Sequence, residues 1–280
     1  YLQVEKYLKD NIQEHYENIL NSDKLAEVIK NVQPDIIFHL AAQPLVRKSY
    51  DNPIETWETN LIGSLNLLNS LKQYSKKCAV LVITTDKVYL NREWEFGYRE
   101  NDILSGNDPY SASKAALEIA VSSWRFSFCG NKKYQNNNIS IATARAGNVI
   151  GGGDMADDRI VPDCIRSLIN NEKIIIRNPN STRPWQHVLE PLNGYLLLAM
   201  QLYLQPEKFS SAFNFGPDIQ NNTTVEKLVQ QITKSWDGQY QIHKDSENYY
   251  ESSLLHLQID KVYKKLNWYP KWDFSKTVKK

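Results

Sequence analysis

The chain has 280 residues, with 33 Lys or Arg against 32 Asp or Glu, so its formal net charge is +1 at pH 7. This length can hold a large hydrophobic core in one or two domains, and the charge balance gives no indication of binding to nucleic acid or to a membrane surface. No apolar stretch approaches the length of a membrane span and no signal peptide is recognisable, so we expect a cytoplasmic protein without a membrane partner.

The three cysteines are odd in number and widely spaced along the chain. Cys78 opens an apolar run and Cys129 ends a helical pattern, so we expect these thiols and that of Cys164 to be reduced and to lie in the core. The five histidines are scattered, and no spacing typical of metal ligands occurs, so we expect no metal site.

The chain begins with a polar stretch that favours a helix, and the first pattern typical of a strand is residues 34–40. That run ends at the small residues Ala41 and Ala42. Two further runs, residues 78–85 and 139–145, are also apolar and rich in Val and Ile. Runs of this length and composition predict strands that are buried on both faces of a parallel sheet.

Helical patterns at residues 54–74 and 109–129 separate these strands. Asp108 is suited to cap the second helix, and Pro109 suits its first turn because the missing N–H costs nothing there. Strands that alternate with helices imply right-handed crossovers, so the sequence predicts an α/β protein with a Rossmann-like, doubly wound parallel sheet. Ligands of such sheets bind beyond the carboxyl ends of the strands.

After Gly151 the pattern changes and predicts a smaller α+β lobe that is interleaved with the main sheet. We place the main domain at residues 1–148 and 185–216 and the lobe at residues 149–184 and 217–280. The elements predicted in this part are a helix at 161–170, a strand at 173–177, a helix at 190–204, a strand at 212–215 and a further lobe segment at 221–236.

The most informative motif is Tyr110-Ser-Ala-Ser-Lys114, which places a phenol and an ammonium on the same face of a helix. The cation favours the phenolate, so we expect the pKa of Tyr110 to be drawn from about 10 toward neutrality. A phenolate can take the proton of a sugar hydroxyl while a hydride leaves the same carbon. Taken alone, a pair at this spacing usually makes a solvated helix edge.

A second motif, Thr84-Thr85-Asp86-Lys87, stands where the second predicted strand ends. By itself it could be a strand end that runs into an Asp-based turn. Because residues 41–43, 85–87 and 146–148 all follow strands directly, we expect them to converge on one crevice with Tyr110 and Lys114.

These motifs resemble the extended short-chain dehydrogenase/reductase family and, within it, the nucleotide-sugar 4,6-dehydratases. Lys87 stands where other members typically carry Glu, which indicates the branch that acts on CDP-glucose. The stretches that carry the resemblance are residues 39–46, 85–87, 91–101, 108–114, 144–154 and 182–190.

The resemblance implies NAD as cofactor and three steps on one hexose: oxidation at C4, loss of water across C5–C6, and return of the hydride to C6. Tyr110 is then the base for the C4 hydroxyl, Lys114 lowers its pKa and Thr85 binds the C4 oxygen. Asp86 protonates the leaving C6 hydroxyl, which needs a raised pKa. Lys87 either accepts the C5 proton as a neutral amine or stabilises the enolate as a cation, and both readings stay open.

The resemblance also assigns binding residues on both sides of the crevice. Arg159 is better suited to a surface salt bridge, and Asn60 to a hydrogen bond that anchors its helix. His187 is compatible with core packing and with the pocket wall. The glycines of Gly151-Gly-Gly-Asp154 can adopt positive φ and present N–H groups to an anion. Cofactor-binding residues are Ala41, Ala42, Asn60, Thr84, Tyr110 and Lys114, and substrate-binding residues are Asn148, Arg159, Arg183 and His187.

One departure from the family pattern is the Gly-rich turn that normally follows the first strand and holds the pyrophosphate, because the first glycine of this sequence is Gly63. We therefore expect the NAD-binding domain to lack its first βα unit. The long helices could form a homodimer or homotetramer face or simply cover the sheet. Deoxysugar synthesis for the lipopolysaccharide O-antigen is the implied role. A 4-epimerase, a reductase and a non-catalytic nucleotide-sugar binder are the alternatives.

Overall fold

A computed structural model describes residues 11–130, 132, 135–218, 221–243 and 253–279 of the protein. In chain order the elements are α1 (Ser22–Val32), β1 (Ile36–His39), α2 (Val46–Asp51), α3 (Pro53–Trp57), a π-helical turn (Glu58–Gly63), α4 (Ser64–Ser70), β2 (Cys78–Thr85), a 3-10 turn (Asp86–Val88), α5 (Pro109–Phe128), β3 (Ile139–Ala146), β4 (Val149–Ile150), α6 (Ile160–Ile169), β5 (Ile174–Ile176), β6 (Thr182–Pro184), β7 (Gln186–His187), α7 (Leu189–Leu204), α8 (Pro206–Phe209), β8 (Ala212–Phe215), β9 (Asn222–Thr224), α9 (Val225–Ser235), β10 (Tyr240–Ile242), α10 (Asp260–Leu266) and α11 (Phe274–Lys279).

The central sheet has four strands in the order β1-β2-β3-β8, and each neighbouring pair is parallel. Side chains alternate along β2, so Val80 and Val82 pack under α1, α4 and α5 on one face. Ala79 and Leu81 pack under α7 and α10 on the other face. Helices on both faces of a parallel sheet confirm the predicted doubly wound α/β fold.

The predicted burial on both faces is confirmed for β2 and β3 and is wrong for β1. Ile36 and Phe38 are 36% and 38% exposed, whereas Val80 and Leu81 are fully buried. The reason is that β1 stands at the edge of the sheet that the described residues form, so it has a paired strand on one side only.

The helix predicted at residues 54–74 exists, but it begins at Pro53, ends at Ser70 and is interrupted by a π-helical turn. Asn60 lies inside this turn and is fully buried. A Cβ atom at Gly63 would stand 2.5 Å from Ile19 Cδ1, so a larger residue there would require the Ile19 side chain to move. Turns of this kind interrupt helices most often beside functional sites.

Helix α5 begins as the sequence predicts. The Asp108 side chain accepts from the backbone N–H of Ser111 at 2.9 Å, and Ser111 Oγ accepts from the backbone N–H of Asp108 at 3.2 Å, which forms a capping box. Pro109 occupies the first turn. The helix ends at Phe128, one residue before the predicted end.

The region after β3 contains three small two-stranded sheets, in which β4 pairs with β7, β5 with β10, and β6 with β9. Its own apolar cluster joins Cys164, Ile176, Trp185 and Leu228. The helix and strand that were expected to return to the main sheet do so, because α7 packs on β2 and β3, and β8 pairs with β3.

All three cysteines are free thiols. Cys78 and Cys164 are fully buried, as predicted, and Cys129 is half-buried at the end of α5. In the part of the chain that the structure describes, no helix is long and apolar enough to cross a membrane.

Candidate active site

The carboxyl ends of β1, β2 and β3 meet at one edge of the sheet, and α5 packs on the face beside it. The Lys114 ammonium donates to the carbonyl oxygen of Ile83 at 3.1 Å, which ties the helix to the end of β2. Lys114 and Tyr110 are 4% and 8% exposed, so both lie inside the protein. The structure therefore brings the two predicted motifs together in one crevice.

The Tyr110 phenol shares a hydrogen bond with the Thr85 hydroxyl. Thr85 in turn donates to Asp86 Oδ1 at 3.0 Å, so three side chains with exchangeable protons form a short chain. The backbone of Tyr110 is fixed from both sides. Its N–H donates to Ser49 Oγ at 3.2 Å, and its carbonyl accepts from Ser113 Oγ at 2.7 Å.

The expected fall in the pKa of Tyr110 does not occur in the protein alone. Burial raises the pKa of this phenol to about 12, although its hydrogen bond with Thr85 opposes the rise. The carboxylates of Asp86 and Asp108 raise it further, because they disfavour a second negative charge. The sequence motif shows the cation nearby, but it does not show how deeply the phenol is buried.

Burial also changes the pKa of Lys114 strongly, in the opposite direction. Desolvation lowers the pKa of its ammonium to about 8, and the carboxylate of Glu118 opposes that fall. On the side of β1, burial and the charge of Lys114 lower the pKa of His39 to about 4, so this imidazole stays neutral. His39 Nε2 and Ser64 Oγ are 2.7 Å apart.

The Asp86 carboxyl is 2% exposed, and among the described residues its Oδ2 has no hydrogen-bond partner. Burial raises its pKa, while the charges of Lys87 and Arg183 and the bond from Thr85 oppose the rise. A buried carboxyl with a raised pKa and one unused oxygen is suited to give a proton to a bound group. Lys87 is half-buried, and its backbone N–H donates to Thr85 Oγ1 at 3.3 Å.

The residues predicted to bind substrate are placed differently from one another. Arg183 is 3% exposed, and its charge acts on Asp86, so it reaches the crevice from β6. Arg159 forms an ion pair with Asp154 at 2.8 Å, and its charge also acts on Tyr110. Asn148 is half-buried, and its backbone carbonyl accepts from Gln186 N at 3.3 Å.

His187 lies in a packing contact. Its ring centroid is 4.5 Å from that of Trp272, and its Nδ1 accepts from Leu189 N at 3.2 Å. Trp185 is buried in the apolar cluster of the smaller region, where its indole donates to Thr223 O at 3.1 Å. In the glycine loop, Gly153 has φ +85°, as expected.

On the cofactor side, Ala41 is exposed and Ala42 half-buried directly after β1. Small side chains there leave the backbone open to a bound group. Asn60 is fully buried, and its amide bonds Gln43 N at 2.8 Å and Ser113 Oγ at 2.9 Å, so it fixes the 41–43 segment to α5. The Thr84 hydroxyl donates to Glu118 Oε1 at 2.5 Å.

Sequence reasoning missed three buried polar residues near this crevice. Glu118 and Arg145 form an ion pair of 2.8 Å, and their signal was a charge inside an apolar helix face and another inside an apolar strand. Tyr195 of α7 is 6% exposed. Burial raises the pKa of its phenol, and the charges of Tyr110 and Asp86 add to the rise, so it faces the same crevice.

The chain is 46% identical over 272 residues to CDP-glucose 4,6-dehydratase of Salmonella typhimurium, covering 97% of this chain and 76% of that enzyme. Among solved structures, UDP-glucose 4-epimerase of Thermotoga maritima with UDP-glucose has a TM-score of 0.81 at 22% identity, over 96% of this chain and 83% of that one. The dTDP-glucose 4,6-dehydratase of Bacillus anthracis in complex with NAD has a TM-score of 0.76 at 20% identity, over 100% and 82%. The family described as GDP-mannose 4,6 dehydratase matches residues 1–280. The chain therefore belongs to that family of nucleotide-sugar enzymes.

Proposed function

We propose that the protein is a hydro-lyase that converts CDP-glucose to CDP-4-keto-6-deoxyglucose with NAD as its cofactor. The observation that carries this proposal is Asp86. Its buried carboxyl, with a raised pKa and an oxygen without a partner among the described residues, stands beside Thr85 and Tyr110. A 4-epimerase or a reductase needs the Tyr–Lys pair but no acid that expels a hydroxyl group. The 46% identity to a CDP-glucose 4,6-dehydratase supports the same reaction and the CDP sugar.

The residues at this edge of the sheet fit a nicotinamide cofactor. Ala41 and Ala42 leave the backbone accessible after β1, and Tyr110 and Lys114 stand beside the end of β2. NAD, when bound, supplies a cationic ring that accepts the hydride from C4 and returns it to C6. We assign binding of the cofactor to residues 1–148 and 185–216. We assign binding of the nucleotide sugar to residues 149–184 and 217–280.

Tyr110 takes the proton of the C4 hydroxyl in this account. Its pKa of about 12 in the protein alone must fall in the working complex, and Lys114, one helical turn away, provides the protein's positive charge for that fall. Thr85 bonds Tyr110 already and can shift its hydroxyl to the C4 oxygen. The ketone formed at C4 acidifies the C5 proton, so the elimination follows the oxidation.

Asp86 gives its proton to the C6 hydroxyl as water leaves. Lys87, next along the 3-10 turn, acts on the C5 side. As a cation it stabilises the enolate electrostatically while a water molecule takes the C5 proton, and this is the role that we assign to it, because its positive charge already acts on Asp86.

We assign binding of the diphosphate and the sugar to Arg183, Asn148 and Arg159, and to backbone N–H groups of the Gly151–Asp154 loop. Arg183 offers a planar fork to phosphate oxygens, and it is already buried at the crevice. Arg159 would have to exchange its Asp154 partner for the ligand. His187 supports the pocket wall through its contact with Trp272.

The function is tested by incubating the purified protein with NAD and CDP-glucose and measuring the alkaline absorbance band of 4-keto-6-deoxy sugars. We expect the band with CDP-glucose, no band with the dTDP and GDP sugars, and its loss in Tyr110→Phe. Absence of the band with every sugar, although NAD binding is demonstrated by calorimetry, would reject the dehydratase and favour an epimerase, a reductase or a non-catalytic binder.

We also propose that the protein acts in the cytoplasm, as a homodimer or homotetramer, in deoxysugar synthesis for the O-antigen. Support for self-association comes from large apolar side chains that are exposed on the paired helices around α3–α4 and α5. They are Ile54, Ile62, Ile119 and Phe126, at 68%, 46%, 58% and 77% exposure.

A further inference from the structure

Glu118 lies on the same face of α5 as Tyr110 and Lys114, two turns and one turn further along the helix. Its carboxylate is 2% exposed and is bonded to two strands at once. Oε1 accepts from Thr84 of β2 at 2.5 Å, and Oε2 accepts from Thr143 of β3 at 2.8 Å. One side chain therefore joins the helix that carries Tyr110 to β2, which ends at Thr85, and to β3, which ends just before Gly147.

The partner charge, Arg145, extends this connection to a third strand. Arg145 is 3% exposed, and its Nη2 donates to Glu118 Oε2 at 2.8 Å. Its Nη1 donates to the Tyr89 hydroxyl at 2.7 Å, which in turn donates to Asn214 of β8, also at 2.7 Å. Buried ion pairs are often no more stabilising than apolar residues of the same volume, so stability alone does not account for this one.

The charged groups around Glu118 and Lys114 come from two elements. Arg145 of β3 and Arg125 of α5 interact with Glu118. Glu118 acts on Lys114, while the nearby His39 of β1 is neutral. The remaining neighbours that bond these two side chains are neutral, namely Thr84, Thr143 and the carbonyl of Ile83. Among the described residues, Glu118 is thus the carboxylate whose charge raises the pKa of the Lys114 ammonium.

We propose that Glu118 is a positioning residue of the reaction, which fixes α5 on the ends of β2 and β3 and places a negative charge one helical turn from Lys114. This inference rests on the proposed function, and Glu118 itself touches neither the sugar nor the cofactor. Two effects on pKa agree with it. Burial alone would raise the pKa of Glu118, but Arg145 and the two threonines hold it below its ordinary value, so Glu118 stays ionised. Its charge then opposes the fall in the pKa of Lys114.

The test compares Glu118→Gln with the double variant that adds Arg145→Met. The single change leaves the Arg145 charge buried without its partner and should lower stability, whereas the double change removes both charges. Lys114 lacks its carboxylate in both, so its pKa falls and the alkaline limb of the kcat profile moves to lower pH. At a pH on the wild-type alkaline limb, we expect kcat to fall about tenfold for each unit of displacement, with KM less affected.

Glu190→Gln is the matched control, because Glu190 is also buried and accepts backbone bonds from Lys271 at 3.0 Å and Trp272 at 2.9 Å. It should lower the melting temperature and leave the pH profile in place. If the double variant regains both the stability and the pH profile of the wild type, Glu118 is only structural and the proposal is overturned.

A readout without substrate separates this inference from the proposed function. In protein labelled with 15N-lysine, NMR titration gives the pKa of the Lys114 ammonium, and Lys114→Met identifies its signal. We expect a lower pKa in the double variant than in the wild type, whether or not the protein acts on CDP-glucose. An unchanged Lys114 pKa in the double variant would refute the positioning role even if the enzyme is a dehydratase.

Discussion

Asp86 packs directly against Gly147, because a Cβ atom at position 147 would lie 2.7 Å from Asp86 Oδ2 and 2.9 Å from Pro184 Cγ. The absence of a side chain at the end of β3 therefore sets the place of the proposed acid. Gly147→Ala should push the Asp86 carboxyl away from its position. A displacement of about 1 Å at a catalytic group can cost on the order of a hundredfold in rate, so we expect kcat to fall by ten- to a hundredfold, to be measured in steady-state assays with CDP-glucose.

Gly216→Ala is the control for this change. A Cβ atom at Gly216 would meet Leu257 Cβ at 3.5 Å, which is ordinary van der Waals contact. It should leave kcat unchanged. Equal activity of the two variants would show that the Gly147 contact does not position Asp86.

Asp86→Asn should separate the oxidation from the elimination. The amide keeps the shape of the side chain but has no proton to give, so the C6 hydroxyl leaves slowly while Tyr110 and Lys114 still serve the oxidation. We expect the 4-keto-6-deoxy product to form about a hundredfold or more slowly, within the range of general acid catalysis. The absorbance of reduced nicotinamide should rise in a single turnover and persist. A variant that eliminates water at the wild-type rate would remove Asp86 from the mechanism.

The two roles of Lys87 are distinguished by its replacements. Arginine is always charged and cannot accept a proton, whereas methionine carries no charge. If the enolate is stabilised electrostatically, Lys87→Arg keeps product formation within about tenfold of the wild type, and Lys87→Met loses about a hundredfold. Product rates that are equally low in both variants would identify Lys87 as the base for the C5 proton.

The buried His39 should make the protein sensitive to acid. Burial and the Lys114 charge lower its pKa from 6.5 to about 4. Between these values the unfolded chain binds more protons than the folded one, so the free energy of unfolding falls as pH drops through that window. The loss amounts to at most about 3 kcal/mol. In urea titrations across this range, His39→Asn should show a weaker pH dependence than the wild type, and an equally steep dependence would contradict the assignment.

Self-association is tested on the exposed face of α5. Ile119 is 58% exposed on the helix that also carries Tyr110, and lysine there would place a charge in a buried interface. Light scattering should show a dimer or tetramer for the wild type and a smaller species for Ile119→Lys. Ile175→Lys, at a 42% exposed position on β5, should leave the assembly unchanged. A monomeric wild type at high concentration would rule out the proposed assembly.

Much of the fold followed from local sequence, because short Val- and Ile-rich runs such as Cys78–Thr85 favour strands that are buried in a sheet. The edge position of β1 could not be derived in this way, since pairing partners are set by the fold and not by the run itself. The π-helical turn at Asn60 was likewise hidden, because the residues that Asn60 bonds, Gln43 and Ser113, lie far from it along the chain.

The site was predictable where the spacing of residues carries the chemistry, as for Tyr110 and Lys114. The pKa of Tyr110 was expected to fall, but burial raises it to about 12 in the protein alone. A motif does not show how deeply its residues are buried, so this rise could not be predicted from the sequence. Glu118 escaped notice for a related reason. Its partners Thr84 and Thr143 lie on two other strands, and only the folded chain brings them to one carboxylate.

The central claim is tested most directly with CDP-glucose that carries deuterium at C4, incubated with the protein and NAD in ordinary water. Intramolecular return of the hydride predicts a 4-keto-6-deoxy product with deuterium at C6, observed by NMR and mass spectrometry. An epimer that keeps its C6 hydroxyl, or a 6-deoxy product without deuterium at C6, would contradict the account.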